Sequence, residues 1–179
     1  MKPHIQIIIG SVRKGRIGPH IANWINKEIA TDFSTEIIDL KDWHLPMDDE
    51  PNLPADGIYI NDHTKLWSKK ISGGDAYIFV FPQYNWGYPA ALKNAIDHLY
   101  HEWADKPAVI VSYANMGGGK AANQLREVLQ SVHIKVTTSN IEIKLSEIDF
   151  SQNISDDTYS KILSKYKDNL ILETNKMFK

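Results

Sequence analysis

Five runs of apolar and β-branched residues limit the folds open to this chain of 179 residues. Several runs lack the polar and apolar alternation of a strand with one solvent-exposed face, and strands buried on both faces are typical of parallel sheets. The chain is long enough for one domain with one substantial core. We therefore predict a single α/β domain over residues 1–179, with strands at 5–9, 37–40, 76–81, 108–112 and 134–143.

The segments between these runs have apolar residues at helical spacing, which gives each predicted helix one apolar face. The clearest stripes follow the first, third and fourth strands, and residues 62–72 are a weaker helix candidate. Ser155 is a predicted N-cap of a final helix, because Asp156 and Asp157 follow it in the turn where the helix dipole favours acids. Repeated strand–helix units predict a doubly wound, three-layer domain.

Composition excludes several classes of function. The formal net charge is -2 and 23% of the residues are charged, so nothing favours nucleic acid or an anionic membrane surface as a partner. Without cysteine, the chain has no disulfide, thiolate nucleophile or thiolate zinc site. The short apolar run near the start fits neither a signal peptide nor a membrane span, which predicts a cytoplasmic protein.

The histidines show no recognisable metal-binding motif. His98 and His101 have a spacing that can place them on one helix face, with Glu102 nearby, but the chain has no H-E-x-x-H pattern. We interpret these histidines as ordinary residues of a helix surface and predict no metal site. The chain also lacks a G-x-S-x-G elbow, so a serine hydrolase has no support.

The connection after the first strand, GSVRKGRIGP at residues 10–19, contains three glycines, a serine and three cations before a predicted helix. Glycine lets backbone amides approach an anion and a helix N-terminus favours negative charge, so a phosphate is the expected ligand. Arg16 and Ile17 replace the lysine and hydroxyl of a Walker A loop. Val12 replaces a glycine of the dinucleotide fingerprint, although Asp39 lies near the distance expected of a ribose-binding acid. A glycine turn with solvated cations is the alternative interpretation.

Two further connections have an unusual composition. FPQYNWGYP, after the third strand, supplies the ring faces of Tyr84, Trp86 and Tyr88 and the amides of Gln83 and Asn85. SYANMGGGK, after the fourth strand, has three adjacent glycines that leave backbone amides free to face a ligand. Ligands of such sheets bind beyond the carboxyl ends of the strands, so the three loops together favour a mononucleotide with a broad ring, such as a flavin. On the alternative interpretation, the aromatic residues cover the core or a subunit contact.

Three segments, GSVRKGRIGPHIANW, PQYNWGYPAALKNAIDHLY and GGGKAANQLREVL, resemble the signature segments of the NADPH-dependent FMN reductase family, which includes quinone and azo-dye reductases. The resemblance extends from the first strand to about Val136. It implies a flavodoxin-like fold whose five parallel strands have the order 2-1-3-4-5. Ala114 and Asn115 depart from the family pattern, which commonly has a glycine pair there.

The resemblance also implies a set of FMN-binding residues, carried by the same three loops. The phosphate would be held by Ser11, Arg13, Arg16, Ile17 and Gly18. The ribityl chain and isoalloxazine ring would be lined by Pro82, Gln83, Tyr84, Asn85, Trp86 and Gly87. The other side of the site would be closed by Ser112, Tyr113, Gly117, Gly118 and Gly119.

The activity implied by the family is the reduction of a quinone, free flavin or azo compound, with NADPH or NADH as the electron donor. No catalytic side chain is expected, because the flavin carries the chemistry. Donor and acceptor would use one cleft in turn, which predicts ping-pong hydride transfer. A homodimer or homotetramer is also implied, with the helix predicted at 89–103 as a contact. Two alternatives stay open: an FMN-binding electron carrier without NAD(P)H activity, and a non-redox module that binds another phosphorylated metabolite.

Overall fold

A parallel β-sheet forms the middle layer of the structure, a computed structural model that describes residues 1–47, 49–148 and 155–179. Its strands are β1 (His4–Ile9), β2 (Ser34–Asp39), β3 (Ala76–Pro82), β4 (Pro107–Ala114), β5 (Lys135–Val136) and β6 (Ile141–Lys144). The order is β2-β1-β3-β4-β5, β6 also pairs with β4, and these pairings are parallel. The strand order predicted from the resemblance is therefore confirmed.

Burial along the strands explains which of them the sequence predicted well. Every residue of β3 is buried, as its unbroken apolar sequence indicates. β2 lies at the edge of the sheet and has only one buried residue, Ile38. Its polar first half, from Ser34 to Glu36, is a strand because it pairs with β1 and not because of its own apolar pattern. The strand predicted at 37–40 therefore begins three residues earlier and ends at Asp39.

Two short strands occupy the fifth position of the sheet. β5 pairs with the start of β4 and β6 pairs with its end, and the polar residues 137–140 separate them. Arg126 donates hydrogen bonds to the carbonyl oxygen of Thr137 at 2.7 Å and to Asn140 Oδ1 at 2.5 Å. Side-chain hydrogen bonds thus hold this stretch outside the regular strand pairing. The continuous strand predicted at 134–143 is wrong in its middle.

Helices cover both faces of the sheet, which gives the predicted three layers. They are α1 (Gly18–Ile29), α2 (Asp62–Ser72), α3 (Ala90–Asp97), α4 (Gly119–Ser131), α5 (Asp156–Leu163) and α6 (Lys167–Lys176). The apolar sides of α1, α5 and α6 pack on one face, and those of α2, α3 and α4 pack on the other. No helix within the described ranges is both long enough and apolar enough to pass through a bilayer.

Helix α3 is shorter than its apolar pattern indicates. It ends at Asp97 with His98 as its C-cap, whereas the sequence predicted a helix to residue 103. Leu99 and Trp103 are still buried, because the turns after α3 bring them back to the core. There Trp103 Nε1 donates to the carbonyl oxygen of Ile96 at 3.1 Å. His98 and His101 consequently do not share a helix face.

The last helical region has the predicted start but is not continuous. The side chain of Ser155 accepts a hydrogen bond from the backbone N–H of Thr158, which confirms it as the N-cap of α5. A short 3-10 turn, Ser164–Tyr166, then separates α5 from α6. The buried residues Leu163 and Leu170 nevertheless belong to one apolar cluster with α1.

Candidate functional site

The loops after β1, β3 and β4 meet at the carboxyl edge of the sheet and line an open cleft. Its main cavity has a volume of about 570 Å³, within the range of small-molecule sites. The predicted site residues that line it are Arg13, Arg16, Ile17, Pro82, Gln83, Tyr84 and Tyr113. Lining residues that were not predicted are Lys14, Gly15, Ala114, Asn115, Met116 and Leu145. A second cavity is lined by Arg13, Gln83, Tyr84 and the predicted Asn85.

Arg16 is held in this cleft by an ion pair with Asp39, the last residue of β2. Only 11% of the Arg16 side chain and 19% of the Asp39 side chain are exposed. Asp39 also accepts a hydrogen bond from the backbone N–H of Lys41 at 3.0 Å. Asp39 lies near the sequence distance expected of a ribose-binding acid. In the structure its side chain instead orients Arg16. Arg16 lines the main cavity, and its Nη1 group is buried without a hydrogen-bond partner, an unfavourable state for a charged donor.

A hydrogen bond between Ser11 and Tyr84 connects the first loop to the second. Ser11 is fully buried, and its Oγ lies 2.8 Å from the hydroxyl oxygen of Tyr84. Tyr84 is 36% exposed, so its ring is fixed at one end and open to the cleft along its side. The serine predicted to contact a phosphate therefore also positions an aromatic wall of the site.

The second loop is a tight turn with two strained residues. The backbone N–H groups of Tyr84 and Gly87 each donate to the other residue's carbonyl oxygen, at 2.8 and 2.9 Å. Asn85 and Trp86 between them have φ values of 47° and 71°, a pair of left-handed conformations typical of type I′ turns. The Trp86 side chain is 63% exposed, and Lys120 Nζ lies 2.9 Å from the centroid of its ring. A large aromatic residue is thus held in a strained backbone conformation and left largely exposed.

Tyr113 and Gly18 lie together at the base of the cleft. A Cβ atom on Gly18 would lie 2.9 Å from Ile9 Cγ2 and 3.1 Å from the Tyr113 hydroxyl oxygen, so only glycine fits where α1 begins. The Tyr113 hydroxyl is buried close to the Ser11 side chain and the Gly18 backbone, but it forms no hydrogen bond of regular geometry with either. Burial raises the pKa of this hydroxyl above its ordinary value, so it stays protonated at neutral pH and can donate to a ligand.

The glycines of the third loop shape the loop and do not line either cavity. Gly117 and Gly118 have φ values of 95° and 87°, and Ser112 Oγ donates to the carbonyl oxygen of Gly117 at 2.8 Å. A Cβ atom on Gly119 would lie 2.7 Å from the carboxylate of Glu142, so this side of the loop is closed by β6. The residues of this loop that reach the main cavity come earlier, at positions 114–116. The predicted contacts of these glycines with a flavin stay a prediction.

The cleft provides different surroundings for the two ends of FMN. At one end, the N-terminus of α1 has no acidic residue in its first turn, and Arg16, two residues before this helix, lines the cavity together with Arg13 and Lys14. At the other, Tyr84 and Met116 line the cavity, and the exposed ring of Trp86 belongs to the same turn as Tyr84 but does not line either cavity. Phosphate prefers the first environment and a flat heteroaromatic ring the second. The donors and the shape of the cleft therefore fit FMN.

Comparison with known proteins identifies the family. A sequence profile of NADPH-dependent FMN reductases matches residues 3–144. The chain belongs to this family. An NAD(P)H-dependent FMN reductase of Schizosaccharomyces pombe is 48% identical over 158 residues, which cover 86% of this chain and 79% of the relative. An NAD(P)H-dependent FMN reductase of Saccharomyces cerevisiae is 43% identical over 145 residues, 74% of this chain and 76% of the relative. The family resemblance predicted from the three segments is confirmed.

Solved structures confirm the flavodoxin-like fold of this family member. A flavoenzyme NAD(P)H:(acceptor) oxidoreductase from Paracoccus denitrificans superposes with a TM-score of 0.71 and 22% sequence identity, covering 99% of both chains. The apo form of an NADH:FMN oxidoreductase superposes with a TM-score of 0.66 and 23% identity, covering 95% of this chain and 89% of the other. At this level of identity the likeness concerns the fold.

Proposed function

We propose that this protein is an FMN-dependent NAD(P)H oxidoreductase that reduces quinones, free flavin or similar small acceptors. Arg16 carries the proposal. It lines the cavity two residues before α1, and its guanidinium has a buried Nη1 group without a hydrogen-bond partner, so it would be a preformed donor for the phosphate of a mononucleotide. Membership of the NADPH-dependent FMN reductase family supports the choice of FMN. The relatives described above, both named as NAD(P)H-dependent FMN reductases, support the choice of electron donor.

The phosphate-binding role falls to the loop after β1. The Nη1 group of Arg16 would donate a hydrogen bond to a phosphate oxygen, while Asp39 keeps the guanidinium in place. Arg13 and Lys14 line the same cavity and add positive charge. The backbone amides at the start of α1 would complete the anion site, as in other helix N-terminal phosphate sites. Of the five residues predicted to hold the phosphate, Ser11 and Gly18 would act mainly by shaping the loop.

The ring-binding role falls to the loops after β3 and β4. At the cavity wall Tyr84 offers an aromatic surface, and Gln83 and Asn85 offer amides. The exposed ring of Trp86, on the same turn, would cover the flavin from outside the cavity. The buried hydroxyl of Tyr113 would donate a hydrogen bond to a ligand oxygen. When bound, FMN would supply the redox chemistry by accepting a hydride from NAD(P)H and reducing the acceptor. The protein's own contribution is to orient the ring and leave one side of the cleft open to both substrates.

A single open cleft also supports the kinetic proposal. NAD(P)H and a quinone would have to occupy the same space over the flavin, so each would leave before the other binds. We infer a ping-pong cycle without a catalytic side chain. We further propose a cytoplasmic homodimer or homotetramer, in which the exposed Trp86 is partly covered by a second subunit.

A spectroscopic experiment tests the proposed function. The purified protein should be yellow, and its visible absorption should bleach anaerobically on addition of NADPH or NADH. A quinone such as menadione should then restore the colour. Initial rates measured at several fixed quinone concentrations should give parallel double-reciprocal lines. If the FMN-loaded protein stays oxidised with excess NADPH and with excess NADH, it is an electron carrier and not a reductase.

A further inference from the structure

A cluster of two histidines and a carboxylate lies outside the cleft, where three separate segments of the chain meet. Asp49 comes from the loop before α2, His63 from the first turn of α2, and His98 from the C-cap of α3. One potential ligand atom from each residue lies within 4.8 Å of those from the other two. The three residues do not line the cavities of the proposed flavin site.

His98 has the arrangement of a prepared metal ligand. Its Nδ1 lies 2.8 Å from the carbonyl oxygen of Asn94, a group that only accepts, so Nδ1 carries the proton and Nε2 has a free lone pair. The residue is 7% exposed, and Nε2 is buried without a hydrogen-bond partner. Metal-binding histidines commonly use one ring nitrogen for the metal while the other donates to a backbone carbonyl.

The other two residues provide the rest of a ligand set. His63 Nε2 lies 3.1 Å from Asp49 Oδ1, a separation close to that between two ligands of one tetrahedral ion. A simple His63–Asp49 ion pair would account for this contact but would leave His98 Nε2 unsatisfied. A metal ion bound by all three would satisfy each of them.

The surroundings favour a cation. A small cavity of about 160 Å³ is lined by Asp49 and His98, which gives an ion access, and also by the carboxylates of Glu50 and Asp97, of which Asp97 is paired with Lys93 at 2.6 Å. The two carboxylate oxygens of Glu50 accept hydrogen bonds from the backbone N–H groups of Ile60 and Asn61, both at 2.9 Å, which fix this carboxylate beside the cavity.

We propose that Asp49, His63 and His98 form a binding site for a divalent transition-metal ion of the Zn²⁺ type, with water completing the coordination. Two imidazoles and one carboxylate are ligands that Zn²⁺ accepts, and cysteine is not required. The ion would connect the loop before α2, α2 itself and the end of α3. The site departs from the sequence-based expectation of no metal, because its ligands are separated by 14 and 35 positions and form no local motif.

Zinc binding by the untagged, full-length protein tests the site. After treatment with EDTA and exchange into chelator-free buffer, equilibrium dialysis against Zn²⁺ should show one bound ion per chain. Zn²⁺ should also raise the unfolding temperature and shift the ¹⁵N resonance of His98 Nε2. Asp49→Asn and His63→Gln should each weaken Zn²⁺ binding by more than about tenfold.

A second histidine–carboxylate pair provides a matched control. His20 Nδ1 lies 2.8 Å from Asp156 Oδ1, but no third ligand accompanies this pair in the described residues. His20→Gln should leave Zn²⁺ binding unchanged. The Asp49 side chain is at the surface, so Asp49→Asn should fold normally and remain informative even if variants of the buried His98 do not. No saturable Zn²⁺ binding, or equal binding by wild type and Asp49→Asn, would overturn the proposal.

Discussion

Arg16 and Asp39 form a mostly buried ion pair that connects the loop after β1 to the end of β2, and only Arg16 lines the cleft. Asp39 therefore positions a binding residue without contacting the ligand. We expect Asp39→Asn to weaken FMN binding about tenfold, or about 1.4 kcal/mol, because the guanidinium loses its orienting charge. Fluorescence titration of the apoprotein with FMN measures this effect.

A neighbouring carboxylate on β2 serves as the control for that variant. Glu36 pairs with Lys70 at 2.6 Å, away from the cleft. Glu36→Gln should leave the dissociation constant for FMN unchanged. An unchanged FMN affinity in Asp39→Asn would show that Arg16 does not depend on the ion pair or does not bind the phosphate.

The loop after β1, which is proposed to bind the phosphate, should bind FMN more tightly than riboflavin, because riboflavin has no phosphate. Arg13 lines both cavities of the cleft, and a hydrogen bond between charged groups contributes about 1.5–3 kcal/mol. Arg13→Ala should therefore weaken FMN binding by that amount and change riboflavin binding little. Lys27→Ala, in the last turn of α1, is the control because it lies at the end of the helix that is farther from the loop after β1. Equal losses for FMN and riboflavin in Arg13→Ala would mean that the loop does not hold the phosphate.

Trp86 should matter more for activity than for stability. Its left-handed backbone costs about 1–3 kcal/mol, and its exposed side chain contributes little to the core. In Trp86→Gly, relief of the strain offsets the lost contacts, so the midpoint of urea unfolding should move little. NAD(P)H-dependent quinone reduction should fall, because the loop proposed to bind the flavin ring loses its exposed aromatic side chain. A variant that unfolds much more easily and keeps its specific activity would assign Trp86 a packing role instead.

The parts of the fold and site that the sequence predicted are those with local patterns. The buried run of β3 has no polar interruption, and a glycine-rich loop directly follows β1, so both were visible in short segments. The end of α3 was not, because Leu99 and Trp103 continue the apolar spacing of the helix although turns bury them. Periodicity reports which residues are buried and does not distinguish a helix from consecutive turns that bury the same side.

Contacts between distant segments were also beyond the reach of local patterns. Arg16 and Asp39 are 23 positions apart, and their pairing depends on the adjacency of β1 and β2. Asn115 and Met116 reach the cavity because the glycines after them turn the chain towards β6, which brings the preceding residues to the cleft. Their position in a loop at the carboxyl edge of the sheet could have identified them as site residues. The ligand contacts of this loop were instead assigned to the adjacent glycines.

Glu173 provides a test of how α6 stabilises the edge of the sheet. Its side chain is almost fully buried, accepts a hydrogen bond from Lys176 at 2.6 Å, and accepts another from the backbone N–H of Ser139 at 3.2 Å. Ser139 belongs to the stretch between β5 and β6. The Glu173 carboxylate therefore connects α6 to the segment that joins these two short strands. Glu173→Gln should therefore lower the free energy of unfolding at neutral pH.

The same variant should change how stability depends on pH. Burial alone would raise the pKa of Glu173, but hydrogen bonds from Lys176 and Ser139 hold it below its ordinary value. A carboxyl group with a lowered pKa in the folded state contributes stability above its unfolded pKa, and this contribution is lost as the pH falls through the folded pKa. The difference between wild type and Glu173→Gln, measured by urea unfolding, should shrink as the pH is lowered into that range. Glu127→Gln, an exposed change on α4, should show no such trend, and a difference for Glu173→Gln that stays constant with pH would contradict the role of its charge.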